Sequence, residues 1–423
     1  MSTTTSVPEF NIAQAAQLAQ QASWQVAQLS TAQKNNLLLL MADRIEQQQV
    51  ELIKQNQKDL EAAQTNGVAE AMLDRLRLTL PRIIDIANAI REIVTLADPV
   101  GEMEHVVLRP NGMQVGKMRI PLGVIAMIYE ARPNVTAEAA ALCLKSGNAV
   151  ILRGGSEALN SNLALANCLH QVLQEQGYNP NMVTVIPDPS RTVIGQLLQQ
   201  KTYIDLVIPR GGEGLIRYVT EHSQIPVIQH YKGVCHLYVD KYAALNKATD
   251  ILVNGKTQRP SACNSLETLL VHQDIAEQFL PLAAQALLPA KVKIHACEQS
   301  IGYFTGAQLA TEQDYHTEYL AQELAVKVVD SFDVAIEHIQ CYGSNHTEVI
   351  VSQDYSRAHS FVRRINASVV MINASSRFSD GGQLGLGSEI GISTSKLHAY
   401  GPMGLTALTT QKFVVFGDGQ IRG

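Results

Sequence analysis

The 423-residue chain has 46% apolar and 17% charged side chains, a composition that excludes a disordered chain and provides for two or three folded domains. Lys plus Arg is 33 against 39 Asp plus Glu, a formal net charge of -6, so there is no surplus of cations for nucleic acid or an anionic membrane.

From Asn11 to about Gln64 the chain is rich in Ala, Gln and Leu, and Ile12, Ala16, Ala19 and Val26 recur at helical spacing. Ser30 and Gln33 have the form of a capping box, Asn66-Gly67 supplies a stop, and a further helical stretch is expected over Ala69 to Leu96. After Asp98-Pro99 the texture changes, and His105 to Leu108 and Met113 to Met118 read as two strands around the turn Asn111-Gly112. Strands are then expected at Gly123 to Tyr129, Ala149 to Leu152, Val183 to Ile186 and Ile204 to Ile208. Helices over Ala137 to Leu144, Ala158 to Gln176 and Thr192 to Gln199 separate them, the alternation of a doubly wound nucleotide-binding domain. Val234 to Val239 and Leu266 to Val271, with a helix over Ile275 to Leu287, open a second α/β unit that runs to about Tyr400. The tail Thr406 to Phe416 is β-rich and is expected to pair with a strand of another subunit.

The longest apolar run, Leu122 to Tyr129, is far short of the roughly 20 residues that span a bilayer. The opening MSTTTSVPEF lacks the charged start and apolar run of a secretory signal, so the expected compartment is the cytosol. Cys143, Cys168, Cys235, Cys263, Cys297 and Cys341 are widely spaced without a Cys-x-x-Cys pair, which suggests neither a metal site nor a disulfide framework.

Cys263 lies between a Pro-containing loop and an apolar strand, with Arg259 four residues before it and polar Ser261 and Asn264 around it. A thiolate needs such a partly open, electropositive setting, but a lone cysteine is as readily a small buried hydrophobe, and local features leave both readings open. Asn134, in YEARPNVT, falls at the carboxyl end of a strand and before a helix; it reads either as the helix N-cap or as an amide donor to an oxyanion. SGNAVILRGGSEA, with Arg153, and PRGGEG, from Pro209 to Gly214, are Gly-rich turns that each follow a strand and open a helix. Together they favour an anionic dinucleotide. The long Gly- and Ser-rich stretch Ile372 to Lys396 reads as a loop that lines a site.

These pieces, in this order, resemble the aldehyde dehydrogenase superfamily and, within it, the γ-glutamyl phosphate reductase family. The most specific element is VDSFDVAIEHIQCYGSNHTEVI, Val329 to Ile350, and YEARPNVT, ILRGGSEA, IPRGGEGLI and RPSACNSLET resemble that family at corresponding places. The resemblance implies an α/β, aldehyde dehydrogenase-like fold. A Rossmann-type cofactor domain would take residues 1–104 and 124–232, an α/β catalytic domain 233–404, and a small β oligomerisation ribbon 105–123 and 405–423. It makes Cys263 the nucleophile, with the other cysteines dispensable, and Asn134 the oxyanion donor beside the backbone N–H of Cys263.

Arg153 falls where the superfamily commonly has a Lys at the adenosine ribose, and Ser156 stands where NAD-using relatives carry a Glu, so NADPH/NADP is the implied cofactor. Gly211 and Gly212 would lie near the pyrophosphate. Arg259 and Arg132 are candidates for the leaving phosphate or the substrate carboxylate. Ser376 and Arg377 fall in the substrate-anchoring loop, and His346 is either catalytic or fixes the 343–348 turn.

Hydrolytic members of the superfamily activate their deacylating water with a Glu upstream of the Cys. Ile225 to Val239 contains no carboxylate and offers Gln229 and His230 instead, which suits a thioester that exchanges with phosphate. The implied reaction is reduction of L-γ-glutamyl 5-phosphate to L-glutamate 5-semialdehyde through a thioester, with a hydrolytic aldehyde dehydrogenase as the alternative. The expected partners are a second copy of the chain and a glutamate 5-kinase.

Overall fold

The computed structural model describes residues 10–422; the residues before Phe10, read above for a targeting signal, lie outside them. The chain divides into two units. The first holds residues up to 229 with 386–391 and 403–423, and the second holds 230–385 and 392–402.

The first unit opens with helices α1 (Ile12–Val26), α2 (Thr31–Gln47) and α3 (Gln49–Thr65). The Ser30/Gln33 capping box is present at α2, and Gly67 takes the left-handed conformation (φ +69°) just past α3. The single helical stretch expected over Ala69 to Leu96 is instead two helices, α4 (Glu70–Leu76) and α5 (Leu80–Thr95). Pro81 cannot continue a helix from before it and sits in the first turn of α5, where its missing N–H costs nothing, and Thr79 caps that turn.

Strands β1 (Met103–Leu108) and β2 (Gln114–Pro121) form the hairpin. The tail strand Thr409–Phe416 pairs antiparallel with the other edge of β2, from Thr409 opposite Pro121 to Phe416 opposite Gln114. The tail therefore has one partner within its own chain and forms an edge of the three-stranded sheet.

The α/β part of this unit runs β3 (Val124–Tyr129), α6 (Asn134–Lys145), β4 (Ala149–Gly154), α7 (Leu159–Glu175), β5 (Val183–Val185), α8 (Thr192–Leu198), β6 (Leu206–Arg210) and α9 (Glu213–His222). All pairs are parallel in the order β5-β4-β3-β6. Val124–Tyr129 is buried at every position, which is why it reads as an unbroken apolar run. The chain winds outward from β3 to β5 and then returns to lay β6 on the far side of β3. The crevice at the carboxyl ends of β3 and β6 is thus the topological switch point, where ligands bind in such sheets.

The second unit is built on seven parallel strands in the order β10-β9-β11-β8-β7-β12-β13. They are β7 (Cys235–Val239), β8 (Leu266–His272), β9 (Lys293–Ala296), β10 (Gln308–Leu309), β11 (Glu323–Val329), β12 (Thr347–Val351) and β13 (Val369–Ile372). Helices α10 (Leu245–Thr257) and α11 (Gln273–Leu287) bury Leu252, Phe279 and Leu280 against one set of sheet side chains. After α12 (Glu312–His316), helices α13 (Phe332–Tyr342) and α14 (Tyr355–Arg364) contribute Ile336 and Phe361 to the second core, with Tyr238 and Ile350 from the sheet. No helix among the described residues is long and apolar enough to cross a membrane.

Candidate active site

In the second unit Cys263 lies in the turn from α10 into β8 and is partly buried. The turn is fastened on both flanks. On one side the Cys235 thiol donates to the Cys263 carbonyl (3.3 Å). On the other, Ser376 Oγ donates to the Asn264 carbonyl (2.6 Å) and Asn264 Nδ2 donates to the Ser379 carbonyl (2.8 Å). Behind it, Lys256 Nζ donates to the Leu266 carbonyl and pairs with Glu267 Oε2, both at 2.7 Å and fully buried. Burial raises the Glu267 carboxyl and lowers the Lys256 ammonium, and each partner opposes the shift of the other.

Gly233 presses its backbone on Cys263 so closely that a Cβ would overlap the Cys263 carbonyl and stand 2.8 Å from its carbon. Only glycine fits. Glu318 Oε1 accepts the Gly233 N–H at 2.8 Å, and Ser344 Oγ accepts that of Val234 at 2.8 Å.

Arg377 is half-buried and its Nε donates to Gln258 Oε1 at 2.9 Å. Burial lowers its pKa first, the Arg259 guanidinium adds to that, and the Cys263 thiol works against both. Arg377 thus feels both a second guanidinium and the thiol, and the two cations suit an anionic substrate. One terminal nitrogen of Arg377 and Oδ1 of Asn264 are buried without a protein partner, as groups reserved for a ligand would be.

His346 is fully buried, and burial depresses its pKa to about 3, with His230 edge-on at 5.9 Å adding to the effect. Its Nδ1 lies 2.8 Å from Thr347 Oγ1, which donates to Ser379 Oγ at 2.8 Å, and 3.8 Å from Cys235 Sγ. A neutral imidazole tied to both flanks of the turn holds the 343–348 turn and is poorly suited to proton transfer near pH 7.

In the first unit the candidate residues gather at the carboxyl ends of β3, β4 and β6. Asn134 is the first residue of α6 and not its cap, since Pro133 occupies that position without a side-chain bond. Its Nδ2 donates to Glu138 Oε1 at 3.0 Å. Burial raises the Glu138 carboxyl, opposed by Asn134, Arg210 and Arg132 in that order. Arg153 is only 7% exposed; one terminal nitrogen donates to the carbonyls of Pro189 (2.7 Å) and Ser190 (3.2 Å), while its Nε is buried without a partner. Ser156 is exposed at the start of a short 3-10 turn. The adjacent Glu157 turns away to accept the Ala131 N–H at 2.5 Å. Gly212 is the N-cap of α9. The switch-point crevice, the two glycine turns and the orphaned Arg153 nitrogen fit a phosphate-bearing dinucleotide.

The aldehyde dehydrogenase family matches residues 2–303. A γ-glutamyl phosphate reductase of Colwellia psychrerythraea is 69% identical over 98% of this chain and 99% of its own length. The crystal structure of γ-glutamyl phosphate reductase from Thermotoga maritima superposes with a TM-score of 0.96 at 41% identity, covering 98% of this chain and 100% of that one. This chain belongs to the γ-glutamyl phosphate reductase family. As a family member it is an oxidoreductase of the aldehyde dehydrogenase type that works with a nicotinamide cofactor.

Within this family member, the second unit brings Cys263, Arg259, Ser376 and Arg377 together, and the first gathers Arg132, Asn134, Arg153, Ser156, Gly211 and Gly212. Ser376 is fully buried and spends its hydroxyl on Asn264, so it serves the cysteine turn. Sequence reasoning passed over Cys235, Gly233, Glu318 and Ser379. Their signal is contact across the fold, and no local pattern marks them. Cys235 was expected to be dispensable, and its thiol donates to the Cys263 carbonyl.

Gly233→Ala is expected to displace the Cys263 turn and to lower kcat about 10²-fold, the scale of an ångström's misplacement of a reacting group. Circular dichroism and steady-state kinetics check this. Near-normal kcat in a folded variant would show that the turn relaxes without consequence.

Proposed function

We propose that this chain catalyses the NADPH-dependent reduction of L-γ-glutamyl 5-phosphate to L-glutamate 5-semialdehyde and phosphate, the second step of proline biosynthesis from glutamate, in the cytosol. The observation that carries this reading is the Cys263 turn, fastened on both flanks and faced by Arg377 and Arg259.

The Cys263 thiolate attacks the acyl carbon; the S–C bond forms as the C–O bond to phosphorus breaks, and phosphate leaves. The nicotinamide, when bound, supplies the hydride that takes the thioester to the aldehyde level. Collapse of the Cys263 hemithioacetal then breaks the S–C bond and returns the thiolate. The free nitrogen of Arg377 takes an anionic end of the substrate, with Arg259 and Arg132 as the further cations. Asn134 donates its amide to the tetrahedral oxyanion.

Gly211 and Gly212 hold the diphosphate, and Arg153, beside a Ser156 that adds no charge, selects the 2′-phosphate. Exposed Val106, Val107, Leu108, Phe413, Val415 and Phe416 on the β-ribbon suit a homo-oligomer assembled through it. A glutamate 5-kinase supplies the acyl phosphate.

Asn134→Ala is expected to lower kcat roughly 10²-fold to 10³-fold, the loss of one oxyanion donor. The accompanying stability cost should be about 1 kcal/mol, from its bond to Glu138. Kinetics beside thermal melting decide, and a normal kcat with a lowered Tm would make Asn134 structural. Arg153→Ala should erode the preference for NADPH over NADH; kcat/KM with both cofactors tests it, and an unchanged ratio would remove Arg153 from the site.

A further inference from the structure

Glu130 follows directly on β3, on one bank of the switch-point crevice, and its side chain reaches across to the other bank. The Gly212 N–H at the head of α9 donates to Glu130 Oε2 at 2.9 Å. A Cβ on Gly211 would stand 2.6 Å from the same oxygen, so the carboxylate lies against bare glycine backbone. Arg153, whose Nε has no partner, feels the charge of both Glu157 and Glu130. Glu130 itself is exposed, and within this turn the Gly212 N–H is the group its carboxylate engages.

A carboxylate on the amides that end a helix occupies the place of a phosphate. It cannot stay there beside a diphosphate, because like charges at such a distance repel and one N–H cannot serve both. Among the described residues, the hydrogen bond from the Gly212 N–H is what ties this exposed side chain to the turn, and the side chain can swing into water.

We propose that Glu130 is a displaceable plug of the cofactor crevice: its carboxylate stands in for the diphosphate on the Gly211-Gly212 turn, and the cofactor must expel it to bind. Glu130 thereby sets the affinity for NADPH and NADP. The proposal rests on the cofactor reading given above.

The test compares Glu130→Gln and Glu130→Ala with the unaltered full-length chain. NADPH affinity is measured by fluorescence titration at fixed salt, and inorganic pyrophosphate by its competition with NADPH. Both variants are expected to bind NADPH and pyrophosphate roughly tenfold more tightly, the worth of one charge-assisted hydrogen bond that no longer has to be broken. KM for NADPH should fall while KM for the acyl phosphate does not, whereas a general loosening of the fold would move both. The Gln variant keeps the shape of the side chain and guards against misfolding of the Ala variant. Unchanged or weaker NADPH binding in folded variants overturns the plug while leaving the cofactor site in place. Failure of the unaltered chain to bind NADPH overturns the cofactor reading, and the plug with it.

Discussion

Cys263→Ala is expected to remove turnover almost completely, on the order of 10⁶-fold, the loss that follows deletion of a covalent nucleophile. NADPH binding and the melting temperature should change little. The Cys263 carbonyl accepts from Cys235, the Asn264 carbonyl accepts from Ser376, and the Asn264 amide donates to the Ser379 carbonyl, bonds that a Cβ truncation at Cys263 keeps. Truncation at Cβ therefore leaves these bonds in place and takes away the atom proposed to form the acyl bond.

The other cysteines provide the controls. Burial pushes the Cys143 and Cys168 thiols up, Cys168 to about 11, so neither is a nucleophile near pH 7. Cys143→Ala, Cys168→Ala, Cys297→Ala and Cys341→Ala should keep their activity. Cys235→Ala should lose part of it, because its thiol anchors the Cys263 carbonyl. Steady-state rates for the six variants give the comparison, and an active Cys263 variant would end the covalent mechanism.

The outline of the fold was open to reading because its strands are buried on both faces. Val124–Tyr129 and Leu266–His272 are buried throughout, and such strands appear as nearly unbroken apolar runs between helical stretches. Local chemistry also marked the capping box at Ser30. What was misread depended on a choice the local pattern does not make. Pro81 begins a helix where periodicity ran on through it.

The site was harder to read for a related reason. The side-chain bonds at the Cys263 turn come from far along the chain: Cys235 is 28 residues away and Ser376 is 112 residues from the Asn264 it holds. Flanking residues therefore left the thiol undecided, and the family resemblance was needed to choose. Asn134 read as either cap or amide donor; in the structure Pro133 holds the cap position and Asn134 is the first residue of α6. Glu130 stood in plain view in YEARPNVT, but its meaning lies in a bond to Gly212, 82 residues on.

The central claim is that the Cys263 thioester exchanges with phosphate and not with water. The segment Ile225–Val239 carries no carboxylate to activate water. Of the acids whose charge reaches Cys235, Glu348 is fully buried beside His236, Glu267 is paired with Lys256, and Glu318 accepts the Gly233 N–H. Run in the oxidative direction with glutamate 5-semialdehyde, hydride transfer should occur once, and the acyl-enzyme should then wait for a nucleophile. Phosphate is already anionic at pH 7, and Arg259 and Arg377 are the cations proposed to draw it. The most direct measurement is stopped-flow absorbance of NADPH formation in phosphate-free buffer and across a phosphate series. The account predicts a burst of at most one equivalent per active site without phosphate, and steady turnover that saturates as phosphate is added. Sustained turnover in its absence would contradict the account and assign water activation to a residue such as Glu318 or His230.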